Sequence, residues 1–309
     1  MKKIILILML TVFGFSYSNN KTYNMTRTYN VENINSFSLI SRNASIEVLP
    51  TDSKELTLSI TSNIKLEIEK QINSQELEVS VLPPHHILTF FSKSEDTSIV
   101  VKVPRFFNKK LSLKSSNGSI NASDLVLEFK AITSNGDINI TNITGNSNLS
   151  SSNGKLIVIN NTGNAEGKTS NGDINIDNNK GDISFKTSNG NITAFKINGS
   201  VNLKTSNSSI LLTNALFITN LETSNGNITV NSDTLSKNGN IKTSNGYLEL
   251  NIDKLEGNNK ISTSNNHINL TTKKGEFNSN SYSQKKVQDI SKNISVEGRN
   301  LDDITIIKK

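Results

Sequence analysis

The sequence predicts an all-β protein, a parallel β-solenoid of 18–20-residue coils with β caps at both ends, and three observations carry that expectation. One tetrapeptide recurs nine times: Ser115-Ser-Asn-Gly118, Thr133-Ser-Asn-Gly136, Ser151-Ser-Asn-Gly154, Thr169-Ser-Asn-Gly172, Thr187-Ser-Asn-Gly190, Thr205-Ser-Asn-Ser208, Thr223-Ser-Asn-Gly226, Thr243-Ser-Asn-Gly246 and Thr263-Ser-Asn-Asn266. Its fourth position advances by 18 residues six times and then by 20 twice, so each copy returns the backbone to the same place one layer further on. Next, the second residue after each copy is apolar throughout (Ile120, Ile138, Leu156, Ile174, Ile192, Ile210, Ile228, Leu248, Ile268), and so is the fourth (Ala122, Ile140, Val158, Ile176, Ala194, Leu212, Val230, Leu250, Leu270). A period of two describes a strand with one buried face, whereas an amphipathic helix needs apolar positions three and four apart. Last, Gly145, Gly163, Gly181 and Gly199 each fall 9 residues after a tetrapeptide glycine and precede apolar pairs such as Ile183/Phe185, so each coil holds two strands and two turns. A hexapeptide helix is rejected, because stepping by six from Ile138 meets Thr144 and Ser150.

In chain order, residues 1–18 have the parts of a secretory signal: Lys2-Lys3, an apolar run over 4–15, then Ser16 and Ser18. That run is too short to span a membrane, and no other stretch is apolar enough. The expectation is an exported protein of the periplasm, cell surface or extracellular space, with no transmembrane segment after cleavage. Residues 19–104 read as an N-terminal β cap. There Ser41-Arg42-Asn43-Ala44, followed by Ile46 and Val48, is a degenerate copy of the repeat, and 56–60, 64–68, 77–81 and 99–103 alternate as strands. Residues 105–272 are the solenoid and 273–309 a C-terminal cap with two short strands. The extra residues of the two longer coils fall within 231–240 and 251–260 and are expected to bulge on one face.

Composition narrows the chemistry. There is no Cys and no Trp, which excludes disulfides, thiol nucleophiles and cysteine-metal sites. The formal charge of +6 becomes about +4 once Lys2 and Lys3 leave, too mild to indicate nucleic acid. The turn tetrapeptide reads as a tight corner, since Asn and Gly tolerate positive φ. Its asparagines, Asn117, Asn135, Asn153, Asn171, Asn189, Asn207, Asn225, Asn245 and Asn265, are expected to stack as a structural ladder.

The export signal, the leading strands, the Val101-Lys-Val-Pro104 junction and the repeated Ser-Asn-Gly-x-Ile together resemble the bacterial "putative adhesin" β-strand-repeat family, a domain of unknown function, over about residues 35–270. The resemblance implies a parallel β-solenoid, right-handed, in a cell-envelope protein often linked to envelope-stress systems. It implies no reaction and no catalytic residues.

No cofactor, metal or catalytic group is expected. A glycan-active β-helix enzyme, lyase or hydrolase, is the alternative reading, but it uses clustered carboxylates and often an arginine base, and no Arg lies between Arg105 and Arg299. Asp137 and Asp173 share a column with Lys155 between them and read as a charge-compensating row. His85-His86 reads as a loop pair, and His267 stands alone in an outward column. Serines are abundant without a paired His and Asp. The binding residues singled out are the lysines four places before the tetrapeptide's fourth position, Lys168, Lys186, Lys204 and Lys242, as a candidate site for an anionic envelope polymer, a glycan or a surface protein.

Overall fold

The computed structural model describes residues 21–84, 96–255, 259–272, 294–297 and 304–308, and within them the chain is strands and turns without a helix. Two sheets share one core. The strands that follow the tetrapeptides build the first: Ile120–Ser123, Ile138–Thr141, Leu156–Thr162, Ile174–Lys180, the leading parts of Ile192–Lys204, Ile210–Glu222 and Ile228–Lys242, then Leu248–Leu255 and Ile268–Thr272. All pair in parallel, Ile174 lying between Leu156 and Ile192 and Ile228 between Ile210 and Leu248. The strands that precede the tetrapeptides, among them Lys110–Lys114, Glu128–Ile132, Ser147–Ser150, Ala165–Lys168 and Ile183–Lys186, build the second in the same way.

Both apolar columns of the first sheet are buried in every coil, facing Leu113, Ala131, Leu149, Leu203 and Leu221 of the second. Each fully buried Ile or Leu contributes about 1.5–3 kcal/mol of transfer free energy, and stacking identical positions makes that contribution continuous along the rod. Gly167 breaks the series and Phe185 compensates, its ring filling the space so closely that a Cβ on Gly167 would stand 2.6 Å from Phe185 Cε1.

The tetrapeptide corner differs from the expectation in one respect. None of its asparagines or glycines has positive φ. Glycine is needed there because the carbonyl of the coil below lies directly under it: a Cβ on Gly172 would meet Gly154 O at 1.9 Å. The first residue of each tetrapeptide points inward. Thr169 Oγ1 accepts from Gly172 N at 3.2 Å and donates to Gly154 O at 3.0 Å, tying a turn to itself and to its neighbour. The asparagines stack outside, each Nδ2 donating to the Oδ1 one coil back, from Asn117 on Asn43 through to Asn265 on Asn245.

Left-handed backbone occurs at the opposite corner instead, at Asp124, Asn142, Asn160, Asn178, Lys196 and Asn214, with φ of 53–59°, followed in three coils by Gly145, Gly163 and Gly181 at φ of 133–140°. A third inward column stands here: Leu125, Ile143, Asn161, Asn179, Ile197 and Ala215, all buried. The two asparagines are completely enclosed and hydrogen-bonded, Asn161 Nδ2 donating to Asn179 Oδ1 at 2.8 Å and to Gly163 O at 2.9 Å, with Ser147 Oγ donating to Asn161 Oδ1 at 3.1 Å.

The leading region is not a separate unit. Ser36–Ser41 pairs in parallel with Lys110–Lys114, and Ser45–Thr51 with Ile120–Ser123, so the degenerate turn at Arg42-Asn43 is a full layer of the solenoid. Antiparallel strands then cover this end, Tyr23–Asn30 on Glu55–Ser62 on Thr97–Pro104 in one sheet and Glu67–Asn73 on Glu76–Leu82 in the other. At the far end Ile294–Glu297 and Ile304–Lys308 continue both sheets in parallel. The longer coils extend strands at the second corner rather than bulging independently, with Asn231 beside Asn251, Ser232 beside Ile252 and Thr234 beside Lys254. The expected signal, residues 1–18, and the His85-His86 pair lie outside the described residues.

Candidate functional site

Outward side chains of the second sheet form three columns along the rod. Nearest the tetrapeptide corner, strand pairing puts Ser150, Lys168, Lys186, Lys204, Glu222 and Lys242 in consecutive layers, followed by Ser262, which is buried. Lys204 Nζ is bridged to Glu222 Oε2 at 3.1 Å. Lys168 and Lys186 form no ion pair among the described residues, and Lys242 is separated from the run of three by Glu222. Adjacent strands are about 4.8 Å apart, and ammonium groups splayed to about 7 Å repel by roughly 0.6 kcal/mol per pair in water.

The middle column carries hydrogen-bonding groups. Asn148 Nδ2 donates to Glu166 Oε1 at 2.7 Å, Asn202 Nδ2 to Ser184 Oγ at 3.1 Å and Asn220 Nδ2 to Asn202 Oδ1 at 3.1 Å. Between this column and the lysines runs an open groove of about 390 Å³ lined by Lys168, Lys186, Lys204, Glu166, Ser184 and Asn202. A second depression of about 580 Å³ continues it over Lys110, Lys130, Asn146, Asn164 and Asp182.

Two carboxylates of the first sheet have backbone partners. Asp137 Oδ1 accepts from Lys155 N at 2.7 Å and Asp173 Oδ1 from Asn191 N at 2.9 Å. Asn191, Ser209 and Asn227 do the same for the amides of Ser209, Asn227 and Tyr247. The row that reads in sequence as charge compensation is therefore a row of acceptors, needed because the turn leaves each of these amides without a carbonyl. Asn146, Asn164 and Asp182 serve the opposite corner likewise, receiving the amides of Asn164, Asp182 and Ser200. His267 lies stacked on Tyr247, ring centroids 5.3 Å apart. Among the described residues no three His, Cys, Asp or Glu side chains gather closely enough to hold a metal ion.

Sequence reasoning missed the left-handed Asn ladder, where Asn142 donates to Asp124, Asn160 to Asn142 and Asn178 to Asn160, and it missed the interior Asn161–Asn179 pair. The 18-residue spacing of these positions was the available signal.

The fold and its faces define a two-sheet parallel β-solenoid whose polar surfaces are hydrogen-bonded ladders. Over residues 34–306 the chain matches the Toastrack DUF4097 family model, and it belongs to that family. No curated protein matches it. Among solved structures it is similar to a "putative cell adhesion protein" from Clostridium sporogenes, at 11% identity over 76% of this chain and 100% of that one with a TM-score of 0.32. A "putative adhesin" from Parabacteroides merdae matches at 14% identity over 93% and 96%, TM-score 0.28, and another from Parabacteroides distasonis at 13% over 90% and 98%, TM-score 0.32.

Proposed function

We propose that this chain is a non-enzymatic interaction module of the cell envelope or surface, which holds an anionic polymer, such as a teichoic acid, lipopolysaccharide or acidic glycan, along the outer face of its second sheet. The observation that carries this is the run Lys168, Lys186, Lys204 in adjacent strands beside a groove lined by amide, hydroxyl and carboxylate groups. Other polar columns satisfy backbone amides or stack on their own kind, whereas here Lys168 and Lys186 repel in register without an ion pair among the described residues, next to Lys204 that Glu222 bridges, and nothing in the fold requires them. A polyanion lying along the rod relieves that repulsion at every layer and gains attraction that salt screens. The neighbouring amides and hydroxyls supply hydrogen bonds for sugar or glycerol groups.

The test is binding of the wild type and of the triple variant Lys168→Gln/Lys186→Gln/Lys204→Gln to envelope extracts at low and high salt. Wild type should bind at low salt and lose most of that binding at high salt, and the variant should bind at least about tenfold more weakly. Equal binding by the two, or indifference to salt, would remove the reading. Assaying the same polymers for cleavage tests the alternative of a glycan-active enzyme.

A further inference from the structure

At the second corner one coil departs from the repeat. Eight and nine residues after the tetrapeptide's fourth position, successive coils carry Thr144-Gly145, Thr162-Gly163, Lys180-Gly181 and Asn198-Gly199. The coil after Ser208 carries Leu216-Phe217 there, 41% and 49% exposed. They sit between Ala215 and Ile218, both buried, so the core has no place for them, and a fold built on repetition does not require them. Val126 holds the eighth position of the first coil, but buried Leu127 follows it, so no apolar pair projects there.

Strand register places charges around this apolar step. On the earlier side Lys180 pairs with Asn198, and Ile197 with Ala215, so Lys180, Asn198 and Leu216 share one column. Ser200 pairs with Phe217, and Asp182 Oδ1 accepts Ser200 N at 2.7 Å, so Asp182, Ser200 and Phe217 share the next. On the later side the register slips by one residue: Ser232 Oγ accepts Ala215 N at 3.1 Å and Ser232 pairs with Ile252, while Ile218 pairs with Leu235. The column through Leu216 therefore continues to Asp233 and Asp253, and that through Phe217 to Thr234 and Lys254. Two coils before the step the surface holds Lys180 and Asp182, and two coils after it Asp253 and Lys254, with the signs in opposite order across the two columns.

We propose that this ridge binds a second copy of the chain, with Leu216 and Phe217 of the two copies packing together on a two-fold axis. A two-fold contact must be complementary to itself, and these four charges are. With the rods antiparallel, the axis runs across the ridge and sets Lys180 against Asp253 of the second copy, and Asp182 against its Lys254. With the rods parallel, the axis runs along the ridge and sets Lys180 against Asp182 of the second copy, and Asp253 against its Lys254. Every one of the four charges meets its opposite in either arrangement, which the one-residue slip after Thr213 makes possible. The corner carries both signs, so its charge selects neither a polyanion nor a polycation. Between the charges and the apolar centre stand Asn198 and Ser200 on one side and Thr234 on the other, groups able to hydrogen-bond across the contact. An apolar centre inside a polar rim is the ordinary anatomy of a protein interface. Five layers at about 4.8 Å each make a contact about 19 Å long, at the small end of specific interfaces, so the dimer should be reversible.

Sedimentation of the purified chain over a range of concentrations tests this. Wild type should pass reversibly from monomer to dimer as concentration rises. The double variant Leu216→Ser/Phe217→Ser should raise the dissociation constant at least about tenfold, with the monomer's thermal midpoint unchanged because both sites are exposed. Charge is tested by a pair of variants. Lys180→Glu/Lys254→Glu makes the rim acidic, and Asp182→Asn/Asp253→Lys makes it basic while Asn keeps the acceptor for Ser200 N. Each should stay monomeric alone, and the two mixed should form a heterodimer whichever way the rods run. The Lys168/Lys186/Lys204 triple variant, altered beside the tetrapeptide corner, should dimerise like wild type, which separates this inference from the polymer reading. A monomer at every concentration, undiminished dimerisation of the Leu216/Phe217 variant, or no heterodimer from the mixed charge variants would each overturn it. So would a chain that stays monomeric and floats with phosphatidylglycerol vesicles through Leu216 and Phe217.

Discussion

Three consecutive residues, Gly172, Asp173 and Ile174, answer to three different forces, and their substitution should separate them. Ile174 is wholly buried between Leu156 and Ile192, so Ile174→Asp places a charge in a column one side chain wide with no partner, and the chain should fail to accumulate as folded protein. Asp173 uses one oxygen to accept Asn191 N. Asp173→Asn keeps that oxygen and should cost under about 0.5 kcal/mol, while Asp173→Ala removes it and should cost about 0.5–1.5 kcal/mol. Gly172→Ala drives a methyl onto Gly154 O and should cost about 1–3 kcal/mol as overpacking. Ser208 and Asn266 show that two coils tolerate a side chain at this position, each donating to a backbone oxygen, Asn189 O and Asn245 O, bonds that Ala cannot make. Denaturant unfolding of the purified variants, with equal losses for Asp173→Asn and Ile174→Asp, would contradict the inward and outward assignment.

Within the coil, the interior polar pair is the element whose energetics are least like the rest. Asn179→Leu leaves Asn161 without one acceptor and Gly181 O without its donor at 2.8 Å, and should cost about 1–3 kcal/mol as a buried unmade bond. Replacing the whole network by Ser147→Ala, Asn161→Leu and Asn179→Leu removes the side-chain donors and acceptors together and leaves only the carbonyls of Gly163 and Gly181 without their donors. It should therefore destabilise by less than the sum of the single changes, a non-additivity that a mutant cycle measures directly. This network also marks where sequence reading stops. The two inward columns of the first sheet were legible because the burial period of two survives in every copy, and the lysine column was legible because its distance from the tetrapeptide sets its layer. The third column was not, since Asn161 and Asn179 interrupt an otherwise apolar series and a buried amide looks like a surface one until its partners are seen. The tetrapeptide corner was placed correctly with the wrong reason attached: Asn-Gly suggests positive φ, but what excludes a side chain at Gly172 is a carbonyl one coil below, a contact between residues 18 apart. The lone ion pair in the lysine column, Lys204 with Glu222, follows from the same 18-residue spacing, whereas the grooves beside it depend on side-chain conformation and leave no trace in the pattern.

At the scale of the molecule each coil contacts its neighbours alone, so a whole coil should be removable if its junction restores the register. Deleting residues 191–208 joins Gly190 to Ser209, and deleting 173–190 joins Gly172 to Asn191; each seam keeps a tetrapeptide followed by its normal successor. Both shorten the rod by one layer, about 4.8 Å, which solution scattering resolves as a smaller maximum dimension with strand-type circular dichroism retained. Both also cut the uninterrupted lysines from three to two and should weaken salt-sensitive polymer binding. They differ inside. Removing 191–208 seats Ala215 on Asn179 and preserves the Asn161–Asn179 bond, whereas removing 173–190 takes Asn179 away and sets Asn161 against Ile197. The second deletion also removes Phe185 from over Gly167, so it should be less stable than the first by at least about 1–3 kcal/mol in denaturant unfolding, from a buried amide left without its partner and an unfilled space in the core. Loss of strand structure in both deletions would refute independent stacking of coils, and equal stability would show that the interior pair contributes nothing to holding the layers in register.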